Sequence, residues 1–150
     1  MSHAEPLPDP ARIVIARRIE WVDTDAAGIY HFTAAMRYAE AAEAALHTEL
    51  GIVERTFGFT PRVNVSLDFR SSLRFNDPVD IELAVEALGR ASARYAVTVS
   101  GPQGVAADGH MAICLIDPGT RRSVPWPDDI RELLATAGDV TPGVVPAGGG

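Results

Sequence analysis

At 150 residues, 47% of them hydrophobic and 22% charged, the chain has the size and composition of one soluble domain with a proper core. A net charge of −7 argues against a nucleic-acid binder, although a few local arginines could still hold an anionic small molecule. The one cysteine, Cys114, excludes an internal disulfide and any cysteine-built metal site, and no apolar run approaches the ~20 residues needed to cross a bilayer.

Residues 1–10 are polar, hold three prolines and lack a signal-peptide core, so a disordered tail and a cytoplasmic location are expected. Residues 12–22 alternate, with Ile13, Ile15, Ile19 and Trp21 on one parity, and predict a first strand. Residues 33–50 switch to helical spacing. Ala35, Tyr38, Ala39, Ala42, Ala45 and Leu46 form one stripe, with Arg37, Glu40, Ala44 and His47 on another and Gly51 as the stop. Four more strands follow. Val63, Val65, Leu67 and Phe69 alternate with Arg62, Asn64, Ser66 and Asp68; the others centre on residues 79–87, 95–99 and 111–115. Asn76-Asp77-Pro78, Leu88-Gly89-Arg90 and Gly101-Pro102-Gln103-Gly104 supply the turns, and Pro127-Asp128-Asp129 opens a short helix. The remainder, 138–150, reads as a flexible tail, leaving one domain over 11–137. The order strand, long helix, four closely spaced strands predicts an α+β fold, an antiparallel sheet with one main helix. Such a half-covered sheet is expected to meet a second subunit.

Reactive chemistry concentrates where the first strand pattern gives way to the helix. Asp25 lies a few residues before an alanine-rich helix, whose N-terminus offers unpaired N–H groups and partial positive charge to an oxyanion. A carboxylate there could attack a carbonyl or activate water, and Gly28 would let the backbone turn between them. Asp23, Thr24 and Asp25 are equally compatible with plain turn and capping roles.

The run Asp23-Thr24-Asp25-Ala26-Ala27-Gly28-Ile29-Tyr30-His31-Phe32, with Tyr38-Ala39-Glu40-Ala41-Ala42, resembles the signature of hotdog-fold acyl-CoA thioesterases of the 4-hydroxybenzoyl-CoA thioesterase type. Phe75-Asn76-Asp77-Pro78-Val79, Leu88-Gly89-Arg90-Ala91-Ser92 and Ala112-Ile113-Cys114-Leu115-Ile116-Asp117 fall in the family's order, so the resemblance spans about residues 12–134. It implies a hotdog fold, a long helix wrapped by a five- or six-stranded antiparallel sheet, in a homodimer that forms the active sites and pairs further into a tetramer. It implies hydrolysis of an acyl-CoA or acyl-carrier-protein thioester without a cofactor or metal. Asp25 would be nucleophile or general base, and backbone N–H at Phe32, with His31 beside it, would hold the thioester oxygen. Glu40 matches a helix carboxylate of the acyl pocket, and Ser92 a hydroxyl residue brought from the partner.

The chain departs from that pattern at Tyr30, where an aliphatic residue is usual, at His31, and in Thr33-Ala34-Ala35, which lacks an aromatic. These positions border the acyl pocket and bear on substrate more than on reaction. His31 leaves open a hotdog hydratase or dehydratase, although the proline of that group's His-Phe-Pro turn is missing; a non-catalytic acyl-CoA-binding module is the other alternative. Arg90 and Arg94, flanking Ser92, are the arginines best placed for CoA phosphates. Asp23 is read as shaping the turn, Glu43 as part of a charged helix face, His47 and His110 without a role.

Overall fold

A computed structural model describes residues 6–143. The alternating segments become strands and the alanine-rich segment one long helix. In chain order these are β1 (Arg12–Arg18), α1 (Phe32–Glu49), α2 (Val53–Thr56), β2 (Arg62–Phe69), β3 (Pro78–Leu88), β4 (Ser92–Gly101), β5 (Gly104–Cys114), α3 (Asp128–Thr136) and β6 (Asp139–Val140). The sheet order is β2-β5-β4-β3-β1-β6, antiparallel except for the two-residue β6, which runs parallel to β1. Among the described residues no helix is long and apolar enough to cross a membrane.

α1 lies on one face of the sheet. Ala34, Ala35, Ala39 and Ala42 are fully or almost fully buried there, and their small side chains let the helix approach Ile13, Ile15, Ile81, Leu83, Val97 and Val99 closely. The helix ends as the sequence predicts: Gly51 takes φ +73°, a left-handed cap that glycine adopts without strain. α3 folds Ile130 and Leu134 inward, and Trp126 just before it donates its indole N–H to the Ser92 carbonyl at 2.9 Å.

Four expectations are corrected. The first strand stops at Arg18; Trp21–Asp23 form a single 3-10 turn, because the Asp23 carboxylate accepts the Glu20 N–H and closes it. Trp21, placed on the buried parity by its spacing, is therefore 81% exposed. β5 begins at Gly104, well before residue 111. There a bulge leaves Ala106 without a partner on β4 and buries both Ala106 and Ala107, which breaks the alternation, and Gly109 passes so close to β2 that a Cβ would collide with the Ser66 carbonyl. Asp139–Val140, assigned by composition to a tail, pair with Arg12 and Ile13, while Asp9 N–H bonds to the Ala135 carbonyl. Of the expected tails, 1–10 and 138–150, residues 1–5 and 144–150 lie outside the described residues.

The fourth correction is His47, which is fully buried. Its Nδ1 and Nε2 lie 2.6 and 2.7 Å from Thr56 Oγ1 and the Tyr95 hydroxyl. Thr56 donates to the Ile52 carbonyl, so it accepts from Nδ1–H, and Nε2 accepts from Tyr95. Burial, reinforced by the charge of Arg62, holds this imidazole down to about 4. A depressed histidine stabilises the fold fully above its unfolded value near 6.5 and loses that contribution as pH falls toward 4, here about 3 kcal/mol. Urea unfolding is expected to show this decline between pH 6.5 and 4, and a His47→Gln variant to lack it. A wild-type profile no steeper than that of His47→Gln across that window would contradict the assignment; Glu43, raised by burial and acting in the opposite sense, is common to both proteins.

Candidate active site

The turn that carries the conspicuous carboxylates is anchored by Asp23. It is 1% exposed, and its carboxylate accepts from Tyr38 Oη at 2.6 Å, from the Glu20 N–H at 2.8 Å and from the Arg37 guanidinium. Burial alone would raise its pKa, but Tyr38, the Glu20 amide and Arg37 together hold it below the usual carboxylate range; Tyr38 is pushed up by its own burial and by the bond to Asp23. The Asp23 carbonyl also accepts the His31 N–H at 2.6 Å. One buried aspartate thus ties the turn to the first two turns of α1.

Between these fixed points residues 25–29 form a tight loop. Thr24 bridges to Tyr30, Asp25 N–H bonds to the Ile29 carbonyl at 2.8 Å, and Gly28 N–H to the Asp25 carbonyl at 3.0 Å. Gly28 sits at φ +79°, the conformation the turn requires. The half-buried Asp25 accepts the Ala27 N–H on Oδ1 at 2.8 Å, and its carboxylate lines a cleft of about 350 Å³. Phe32, Tyr30, Ile29, Phe69, Arg70, Ser71 and Ser72 complete that cleft.

Phe32 is the first residue of α1, so its N–H has no partner within the helix. His31 caps α1 by accepting the Thr33 N–H on Nδ1 at 3.2 Å, with Thr33 Oγ1 2.7 Å away, and stacks on the Phe32 ring at 4.5 Å. The buried Tyr30 points its hydroxyl at the Ala106 carbonyl, 3.3 Å away, and sets its ring against Phe69. A carboxylate, the positive end of a helix and an apolar wall therefore share one opening, an arrangement suited to a carbonyl that gains negative charge.

The remaining sequence candidates lie elsewhere. Glu40 is two turns along α1, outside the Asp25 cleft, and accepts from Arg62 at 3.2 Å. Ser92, Arg90 and Arg94 line a separate surface cleft of about 870 Å³ with Arg131. Ser92 pairs with Cys114, whereas Val99 pairs with Ala107, which in turn faces Phe69 of the Asp25 cleft. At 3.3 Å per residue, the seven residues from Ser92 to Val99 separate the two clefts by roughly 23 Å. One chain does not bring them together. Arg94 is also paired with Glu86 at 3.0 Å.

Two residues gain a significance that the sequence reading does not give them. A bulge between Arg62 and Asn64 leaves Val63 without a partner on β5, and puts Arg62 on the same helix-facing side as Val65 and Leu67. Arg62 thereby reaches Glu43 at 3.0 Å as well as Glu40. Glu43 is 2% exposed, and burial raises its pKa against the opposing pull of Arg62. Its four-residue spacing to His47 and its place between Ala39 and Leu46 were the available signals of burial.

The model of the thioesterase-like superfamily matches residues 19–134, a span that includes the Asp25 turn, α1 and the sheet from β2 to β5. The chain belongs to the thioesterase-like superfamily. Within it, a 1,4-dihydroxy-2-naphthoyl-CoA hydrolase of Synechococcus elongatus is 31% identical over 130 residues, 82% of this chain and 95% of that protein. A solved gentisyl-coenzyme A thioesterase superposes with a TM-score of 0.72 at 25% identity, covering 82% of this chain and 99% of that one. A 1,4-dihydroxy-2-naphthoyl-CoA thioesterase from Synechocystis shares the fold at a TM-score of 0.71 and 20% identity, covering 82% and 95%. Family and fold are those the opening motif implies: this thioesterase-like chain is a hotdog domain, its long helix on a six-stranded sheet.

Proposed function

We propose that this chain hydrolyses the thioester of an acyl-CoA to free acid and thiol, with Asp25 as the reacting carboxylate. The observation that carries the proposal is the shared cleft of Asp25 and Phe32, the first residue of α1. A thioester carbonyl in this cleft would direct its oxygen to the Phe32 N–H. Asp25 then either takes a proton from the attacking water or attacks the carbonyl carbon itself, forming an anhydride that water opens. In both routes the C–S bond breaks, the sulfur leaves as thiolate, and a thiol pKa near ~8.5 makes it a fair leaving group without a general acid. His31 is committed to capping α1, which weighs against the hydratase reading.

The named relatives act on hydroxylated aromatic acyl groups, and an aryl acyl-CoA is the substrate class we assign here; an acyl carrier protein is the alternative donor. The edge strand β2 supports a dimer. It exposes 62% of Val63 and 47% of Phe69, and a partner seated there would cover them. Because Ser92, Arg90 and Arg94 lie far from Asp25 in one chain, a dimer is also the arrangement in which they could serve it, with further pairing to a tetramer. Thiol release from short, long and aryl acyl-CoAs tests the reading. Turnover is expected to be fastest with hydroxylated aryl esters, and binding of all three classes without thiol release would replace it with a non-catalytic binding module.

A further inference from the structure

A second cleft, about 400 Å³, adjoins the Asp25 cleft, and the two share Ser71 and Ser72. Their nearness follows from the backbone. The Tyr30 N–H bonds to the Leu73 carbonyl at 2.8 Å and Ile29 bridges to Arg74, so residues 72–74 run alongside the catalytic turn. The other side-chain donors of the Asp25 cleft are already engaged. Arg70 is paired with Asp108, Ser71 Oγ donates to the Val105 carbonyl at 3.1 Å, and Tyr30 Oη donates to the Ala106 carbonyl. Ser72 is exposed, and its hydroxyl has no hydrogen-bond partner among the described residues. It is therefore the side-chain donor of this cleft that a ligand meets unengaged. The second cleft adds the polar side chains of Arg74, Asp77 and Gln103, whereas Phe32 and Phe69 give the Asp25 cleft its apolar wall.

We infer that Ser72 is a further catalytic residue, placed at the leaving-group end: its hydroxyl meets the thioester sulfur and donates a hydrogen bond to it as the C–S bond breaks. The role rests on the thioesterase reading. A CoA thioester has an apolar arm, the acyl group, and a polar arm, the thiol chain with its amides. With the acyl group on the Phe32 and Phe69 rings, the sulfur lies toward Ser72 and the amides toward Arg74, Asp77 and Gln103. When the tetrahedral adduct collapses, the C–S electron pair passes to sulfur. Ser72 keeps its proton and stabilises the new charge, and the thiolate takes a proton from water once released. Sulfur gains charge only in this step, so the bond is stronger in the transition state than in the bound ester and acts on kcat.

The test compares 4-hydroxybenzoyl-CoA with the S-phenyl thioester of the same acid, whose more acidic thiol leaves with less help. Ser72→Ala is expected to lower kcat roughly 10-fold or more for the CoA ester, as for a hydrogen bond to a charged group, and less than about 3-fold for the phenyl ester. Ser72→Thr, which keeps the hydroxyl, should restore most of the CoA-ester rate. A purely structural role would slow both esters alike. Disulfide capture reads the position of the sulfur without turnover. In a Cys114→Ser background, Ser72→Cys should form a mixed disulfide with oxidised pantetheine roughly 10-fold faster than with bis(2-hydroxyethyl) disulfide, measured by mass spectrometry, and excess CoA should suppress it. If no ester releases thiol, the function reading fails, and capture alone decides whether Ser72 meets the sulfur of a bound thiol. Equal losses for the two esters in Ser72→Ala, or capture of both disulfides at one rate, would overturn the inference.

Discussion

Asp25→Asn is expected to lower kcat for thioester hydrolysis by about 10²- to 10⁴-fold, the range for removing a positioned acid–base group, with little change in KM. The substitution is informative because it is nearly isosteric. The asparagine carbonyl can still accept the Ala27 N–H that Asp25 Oδ1 now accepts at 2.8 Å, and the Asp25–Ile29 and Gly28–Asp25 backbone bonds do not involve the side chain. The loop should keep its shape and the melting temperature its value. A large drop in kcat at unchanged stability therefore reports chemistry at the carboxylate. A drop in KM-limited binding alone would assign Asp25 to substrate contact instead.

Asp23→Ala should do the opposite to stability and indirectly the same to rate. Removing this buried carboxylate leaves the Tyr38 hydroxyl and the Glu20 N–H without their acceptor, and a cost of about 2–4 kcal/mol is expected. For a chain of this size that is a fall in melting temperature of roughly 5–15 °C. Even Asp23→Asn is expected to be destabilising, because its amide would present a donor among the Tyr38, Glu20 and Arg37 donors. The pH sign agrees with this role. The folded-state pKa is lowered, so the stabilisation is complete above the ordinary value of 3.8 and is lost as acid titrates the group below it. Turnover should decline with the fold, since the turn that Asp23 holds positions both Asp25 and Phe32. An Asp23→Ala protein with wild-type melting temperature would contradict the anchor assignment.

Much of the architecture was legible because it is written in local patterns. Alanine spacing announces α1, β-residue alternation announces β2, β3 and β4, and Gly51 marks the helix end. What escaped was set by tertiary contacts. The alternation put Arg62 on the face opposite Val65, and only the bulge at Val63, forced by pairing with β5, brings both to the helix. β5 lost its alternation at the Ala106 bulge opposite β4, and β6 is two residues held by β1. His47 has no polar neighbour in sequence that foretells Thr56 and Tyr95 around it. At the site the difference is similar. Asp25, Gly28 and Phe32 lie within eight residues, so the turn that assembles them is local, whereas the distance of Ser92, Arg90 and Arg94 from Asp25 is set by strand register.

Thiol release from a hydroxylated aryl acyl-CoA, followed side by side in wild type, Asp25→Asn and His31→Ala, tests the central claim most directly. If Asp25 performs the chemistry and His31 caps the helix, Asp25→Asn loses nearly all activity. His31→Ala should keep most of its rate per folded molecule while melting lower by the loss of a cap, about 1 kcal/mol. Full activity in Asp25→Asn together with none in His31→Ala would contradict the account.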